Sequence, residues 1–308
     1  MGNKFGLVIG EAFIDLIAQR DERGLVYLPK IGGSPLNVAV GLRRLGTPVK
    51  LAATLAPGGF GDAVREFCES EDVDIFTLSS PVERAFVSVA TPVEGHVNYE
   101  YYGDLSCITN IKPVDPAYAK AAIVVHASST ALNADSARET VRRAYEAASG
   151  FKSLDPNPRP SLISDREWYL AGLTSLYHMV DLIKVSDEDL RYLSPDISTE
   201  NAALEIHQTY DTTVIVTRAD APTLLAFEGQ LTAITVPTTT VIDATGAGDS
   251  FSASLLSDVA QYGVPHGVSH WHEYMHRANA AAAVACQGAG GAESMPTVAA
   301  LNRNRPLI

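Results

Sequence analysis

Asp243-Ala-Thr-Gly-Ala-Gly-Asp249-Ser-Phe251 is a polar, glycine-rich turn set between an apolar strand and a helix expected from about Gly248 to Ala260. Gly246 and Gly248 remove side chains where backbone amides must converge, and the helix start adds partial positive charge, so the turn is built to hold an anion. Asp249 stands in the first turn of that helix. A carboxylate there can take a proton from an attacking hydroxyl while neighbouring amides balance developing negative charge, as a transferring phosphoryl group requires. A plainer reading leaves Asp249 to complement the helix dipole and the glycines to make a tight turn.

The same grammar of strand, polar turn and helix recurs upstream. Phe5 to Ile9 is a short apolar run ended by Gly10, and Val38, Leu42 and Leu45 recur at helical spacing between Gly33 and Gly46. Gly32-Gly-Ser-Pro-Leu-Asn37 opens that helix. Its glycines let a polar ligand approach the backbone, and Asn37 offers a donor and an acceptor to a hydroxyl, although an ordinary loop with a capping Asn37 accounts for the same letters. Leu51 to Leu55, Ala122 to Val125, Leu154, Leu182 to Val185 and Thr213 to Val216 read as further strands. Helices are expected on the Val141, Ala144, Tyr145, Ala148 stripe, over Asn201 to Tyr210, and after Gly248 and Trp271. Such alternation predicts an α/β fold with a doubly wound, mostly parallel sheet covered by helices on both faces.

Residues 11 to 30 and 85 to 103 break the alternation with strand character and no following helix, so they read as β-rich insertions. Ligands of open α/β sheets bind beyond the carboxyl ends of the strands, which places these insertions as a small β-sheet lid over that crevice. No linker or repeat divides the chain, and residues 1–308 are expected to form a single domain. Such an exposed sheet gains from a partner that covers its edges, so a homodimer through the lid is expected.

Composition sets the outer bounds. The 308 residues are 46% hydrophobic and 19% charged, enough for a large core, with no apolar run as long as a membrane span. The formal charge of −13 is the wrong sign for a non-specific phosphate-backbone binder, so neither nucleic acid nor membrane is an expected partner. Three cysteines without CxxC spacing, and opening residues without a signal-peptide stretch, point to a cytoplasmic protein. The chain has no Gly-Lys dipeptide, no His-Arg-Asp or Asp-Phe-Gly set, and no GxGxxG after a strand, which sets aside P-loop, protein-kinase and dinucleotide folds. His266, His270, His272 and His276 crowd one region, but without a HExxH glutamate they read as surface or half-buried histidines.

The stretches Gly32 to Gly46 and Asp243 to Leu256, in this order, resemble the two signature motifs of the ribokinase-like (PfkB) carbohydrate kinases. Gly10-Glu-Ala-Phe-Ile-Asp15, Asp155-Pro-Asn-Pro-Arg159 and Lys184-Val-Ser-Asp-Glu-Asp-Leu are similar to fructokinase-type members, and the resemblance spans nearly the whole chain. It implies an ATP-dependent kinase that phosphorylates a primary hydroxyl of a ketose, fructose first. The rivals within the fold are a 2-keto-3-deoxygluconate kinase, a ribokinase, a nucleoside kinase and a non-catalytic sugar-binding protein. The resemblance makes Asp249 the base and sets Gly246, Ala247 and Gly248 around the anion hole. It assigns Asp15, Gly32, Gly33, Asn37, Tyr101 and Arg159 to substrate, and Asn157, Ser186 and Asp189 to Mg2+ and its waters. Thr217 and Asn279 fall near ATP, and Asp243 with the Thr245 carbonyl borders a monovalent cation site that would take K+.

Departures from the family pattern carry their own expectations. Ala244 and Ser254 replace the usual residues without touching Asp249. Asp189 stands where Glu is general, which shortens its reach. Thr217-Arg-Ala-Asp-Ala-Pro222 lacks the usual glycines and loses backbone freedom at Pro222. Gly103 follows Tyr101-Tyr102 where related sugar-acid kinases often carry an arginine, which favours a neutral ketose over a sugar acid.

Overall fold

Strands buried on both sides should alternate their side chains between two helical layers, and β1 (Gly6–Ile9) does so. Leu7 and Ile9 enter one core cluster and Val8 the other. In this computed structural model the described residues are 4–22, 24–79, 84–93 and 96–303, so residue 23 and residues 94–95 of the two insertions and both chain ends lie outside them. β1 is followed by β2 (Phe13–Asp21), β3 (Gly24–Gly32), α1 (Ser34–Arg44), β4 (Val49–Leu55), α2 (Gly59–Ser70) and β5 (Asp74–Ser79). Next come β6 (Val87–Val93), β7 (His96–Tyr102), α3 (Ser106–Thr109), α4 (Pro116–Ala121), β8 (Val124–Ser128), α5 (Asp135–Ala147) and β9 (Phe151–Asp155). α6 (Arg166–Tyr177), β10 (Leu182–Ser186), α7 (Asp187–Leu193), α8 (Thr199–Tyr210) and β11 (Thr213–Arg218) continue the alternation. β12 (Ala221–Phe227), β13 (Gln230–Ile234), α9 (Ala247–Tyr262), α10 (Val268–Ala285) and α11 (Val298–Arg303) follow.

The large sheet has nine strands in the order β13-β12-β11-β10-β9-β8-β1-β4-β5. Every pair from β11 to β5 is parallel. The chain leaves β1 for β4 on one side and later returns to β8 on the other. A crevice therefore opens beyond the carboxyl ends of β1 and β8, where such a reversal places a ligand. Phe251 and Leu255 of α9, Trp271 and Met275 of α10, and Leu36 and Val40 of α1 close one face. Val141 and Tyr145 of α5, Tyr169 and Leu173 of α6, and Ala203 and Ile206 of α8 close the other. Each large apolar side chain so buried contributes roughly 1.5–3 kcal/mol.

One edge departs from the sequence expectation. Ala221 and Pro222 begin β12, which pairs antiparallel with β11 and with β13, so the expected loop after Thr217 is a tight hairpin turn at Ala219–Asp220. Proline is tolerated here because the register shifts between Val216 and Arg218, and Pro222 offers its carbonyl to Arg218 Nε at 2.7 Å.

The two insertions pair with each other as a four-stranded sheet in the order β3-β2-β6-β7. β2 and β6 run parallel, with Asp15 opposite Ser88, and β3 and β7 add antiparallel at the two edges. Among the described residues no helix is long and apolar enough to cross a membrane.

Candidate active site

α9 starts where Gly246 takes a left-handed φ of 80°, which turns the chain sharply into the helix. The turn before it is stapled on both sides. Asp243 Oδ1 accepts Thr245 N–H at 2.9 Å, its Oδ2 accepts Gly290 N–H at 2.9 Å, and the N–H groups of Ile242 and Asp243 both donate to Cys286 O. Ala247 N–H donates to Ala244 O at 3.1 Å, so it is already engaged, contrary to the expectation that it serves the anion hole. The N–H groups of Gly248 and Asp249 have no backbone acceptor among the described residues, as first-turn groups of a helix do not. The N–H groups left open at this helix start are thus those of Gly248 and Asp249.

Asp249 is buried, and both of its carboxylate oxygens meet the start of α1. Ser34 Oγ donates to Oδ1 at 2.6 Å and Asn37 Nδ2 donates to Oδ2 at 2.7 Å. These contacts bring together the two glycine-rich stretches singled out in the sequence. Asn37 Oδ1 is buried without a partner and remains available to a hydroxyl donor. No role for Ser34 is legible in Gly32-Gly-Ser-Pro, because only the folded chain brings its hydroxyl to Asp249.

Asp15 sits on β2, nearly buried, and accepts a hydrogen bond from Ser88 Oγ on the paired strand β6. Burial pushes its carboxyl up to about 6, against the lowering effect of the Ser88 hydrogen bond. Gly32 does not line the cleft. A Cβ there would lie 1.9 Å from Asp15 Oδ2, so Gly32 makes room for the carboxylate and Gly33 faces the cleft. Tyr101 stacks on Phe86 with ring centroids 5.7 Å apart, and Tyr99 OH lies 3.3 Å from Thr245 Oγ1, which joins the small sheet to the turn before α9. Glu11, unassigned from sequence, is buried beside this end with Oε2 accepting Ala131 N–H at 3.2 Å, and burial raises its pKa.

A cleft of about 600 Å³ runs from Asp15 and Tyr101 past Asp249 to Thr217 and Asn279. Asn157, held at φ 35°, accepts a hydrogen bond from Arg159 Nη1 at 2.6 Å, and both line the middle of the cleft. Ser186 and Asp189 form a capping box at the start of α7. Ser186 N–H donates to Asp189 Oδ2 and Asp189 N–H to Ser186 Oγ, so the short aspartate reaches its own helix cap. The neighbouring Glu188 also lines the cleft. Thr217 Oγ1 bonds Val185 O at 3.4 Å, and Asn279 Oδ1 accepts from Thr223 Oγ1 at 3.0 Å while its buried Nδ2 has no partner. That orphan donor gives the far end of the cleft a place for a polar ligand. The histidine group stands apart from the cleft lining, with His272 Nε2 on Thr232 Oγ1 at 2.8 Å and His270 Nδ1 accepting His266 N–H.

The family profile described as "pfkB family carbohydrate kinase" matches residues 4–298. Among curated proteins, the fructokinase of Salmonella typhimurium is 30% identical over 302 residues, covering 96% of this chain and 97% of its own. The crystal structure of fructokinase with bound ATP from Xylella fastidiosa is 25% identical and superposes with a TM-score of 0.85, covering 98% of each chain. A double mutant of the Vibrio cholerae O395 fructokinase, in a fructose-, ADP- and potassium-bound form, is 23% identical with a TM-score of 0.85, again over 98% of each chain.

Proposed function

The chain belongs to the pfkB family of carbohydrate kinases, and on that premise we propose that it transfers the γ-phosphoryl group of ATP to a primary hydroxyl of a ketose, fructose to fructose 6-phosphate first. The observation that carries this reading is Asp249, fixed by Ser34 and Asn37 beside the unpaired Gly248 N–H at the start of α9. A sugar hydroxyl placed against Asp249 surrenders its proton to the carboxylate as its oxygen attacks phosphorus. Gly248 N–H and the α9 dipole then meet the charge that spreads over the transferring oxygens. Asp15, Gly33 and Asn37 Oδ1 hold the other hydroxyls, with Tyr101 as the wall. In-line placement supplies most of the remaining rate enhancement.

ATP fits the opposite arm, where Thr217, the orphan Asn279 Nδ2 and the turn at Ala219 line the cleft. Magnesium carried on its phosphates would neutralise charge across the β- and γ-oxygens. Asn157, Ser186, Asp189 and Glu188 line the cleft where its waters can be held, and the capping box engages only one carboxylate oxygen of Asp189. For K+ the fitting group is the Thr245 carbonyl, which accepts no backbone N–H among the described residues. Asp243, with both oxygens on loop amides, would shape the turn. A solved Vibrio cholerae fructokinase is described in a potassium-bound form, which makes K+ the ion to test here. Faster turnover in K+ than in Na+ or tetramethylammonium, at matched ionic strength, is the expected outcome; equal rates remove the site.

A neutral ketose is favoured, though the missing lid arginine has a backbone cause. Gly103 takes a φ of 108° and a Cβ there would meet Ala85 O at 1.9 Å, so no side chain is accommodated at that position. Arg159, in the middle of the cleft, donates from Nη1 to Asn157 Oδ1. An ATP-consumption assay across fructose, ribose, tagatose, 2-keto-3-deoxygluconate and nucleosides tests the reading. Turnover of fructose above the others supports it. Turnover of another compound alone reassigns the substrate, and sugar binding without turnover of any compound overturns the kinase assignment.

A further inference from the structure

Lys184 lies on β10 with only 7% of its side chain exposed, and its ammonium donates to Asp155 Oδ2 on the adjacent strand β9 at 2.9 Å. A buried ion pair is poor evidence for stability, since apolar residues of equal volume commonly serve a core as well or better. Its position gives it another use. A Cβ built on Gly248 would meet Lys184 Nζ at 2.9 Å, with the lysine Cε the next atom at 3.9 Å. The ammonium therefore stands against the first turn of α9, beside the unpaired Gly248 N–H, and both residues line the cleft. An ammonium carries three donors, and among the described residues Asp155 is its hydrogen-bond partner. Burial disfavours its charge, but the carboxylates of Asp155 and Asp189 outweigh that and hold its pKa above the ordinary value.

We infer that Lys184 is a catalytic residue whose ammonium donates to a non-bridging oxygen of the γ-phosphoryl group during transfer, with Asp155 fixing it in place. The inference rests on the phosphoryl-transfer reading of Asp249. In that step the bond from the sugar oxygen to phosphorus forms and the bond from phosphorus to the bridging oxygen of ADP breaks. The hydroxyl proton goes to Asp249, and Lys184 keeps all of its protons. A flexible point charge suits this task, because the phosphoryl oxygens move as the group flattens and inverts.

Lys184→Met should lower kcat about 10²–10³-fold, the range for losing one donor to a transition-state oxyanion. That variant leaves Asp155 unpaired in the core and can fail to fold, so the deciding protein is Lys184→Met combined with Asp155→Asn, which removes both charges together. Turnover is measured alongside calorimetric affinity for ADP and for the β,γ-imido analogue of ATP. The expected result is a double variant that melts near wild type and binds ADP within about threefold. It should bind the imido analogue at least about tenfold more weakly and lose turnover about 10²–10³-fold. Turnover within about threefold of wild type overturns the inference, because Lys184 would then serve only Asp155. Equal weakening of ADP and the imido analogue overturns it as well, as a general lesion of the cleft. Asp249→Asn assayed in parallel separates the two claims. An active Asp249→Asn removes the transfer reading and this inference with it, whereas an inactive Asp249→Asn beside an active double variant removes the role of Lys184 alone.

Discussion

At the scale of single residues, the roles proposed for Asp249 in proton transfer and for Asp15 in sugar binding can be tested through their environments. Asp249→Asn keeps the shape that Ser34 and Asn37 embrace but removes the proton acceptor. Its kcat should fall about 10²–10⁴-fold, roughly 3–5 kcal/mol, while sugar affinity and Tm change little. Turnover near wild type would leave Asp249 as a dipole partner worth at most ~1 kcal/mol. For Asp15 the sign follows from a folded-state pKa of about 6, above its ordinary 3.8. A carboxyl so raised favours the fold below the lower value, and that contribution is lost as pH rises from 3.8 through about 6. Asp15→Asn, neutral at every pH, should therefore raise Tm relative to wild type at pH 7.5 more than at pH 4.5, while weakening sugar binding. An equal Tm difference at the two pH values would show that the burial of Asp15 carries no electrostatic cost.

At the scale of elements, the small sheet is pinned to the turn before α9. Tyr99 on β7 meets Thr245, and Lys30 on β3 pairs with Glu293 beyond α10. Tyr99→Phe removes one hydrogen bond, worth ~0.5–1.5 kcal/mol. If the sheet closes over sugar through that contact, sugar KM should rise about 2–10-fold with kcat nearly unchanged; an unaltered KM would leave Tyr99 a bystander. The pairing of the two insertions was legible from their strand-like runs outside the βα alternation. The β12–β13 hairpin was not, because Ala221-Pro222 is a turn signal in isolation and only the register shift in β11 makes room for proline in a strand. The cap formed by Ser186 and Asp189 is not legible either, for a similar reason. The same short acidic motif reads as a metal ligand or a helix start until its hydrogen bonds are seen. The contacts of Ser34 with Asp249 and of Lys184 with the start of α9 depend on tertiary placement and have no local signature.

At the scale of the whole molecule, the small sheet ends at β3, whose exposed Leu25 and Tyr27 share one face, and at β7, with Tyr99 and Tyr102 exposed. Uncovered apolar edges of this kind favour pairing with a second copy. Sedimentation equilibrium should return twice the 32.8 kDa chain mass, and replacing Leu25 and Tyr27 together by Asp should halve it. A wild-type protein sedimenting as the single chain removes the proposed dimer.

The meeting of α1 with α9 bears on how the chain is born as well as on how it works. α1 is complete at Arg44, while α9, which covers its apolar face and carries Asp249, ends at Tyr262. At synthesis rates of roughly 5–20 residues per second, the ribosome needs on the order of 10–40 s to bridge that interval. Throughout it, the face of α1 at Gly41, where a Cβ would lie 2.5 Å from Ala253 of α9, has no C-terminal helix to pack against, and contacts so distant in sequence form slowly. The nascent N-terminal half is therefore the stage at which a holdase would engage this protein. A chain halted before α9 would present the Gly33 to Asn37 stretch, proposed to hold sugar, on an open, sticky surface, without the Asp249 carboxylate that meets it in the folded protein.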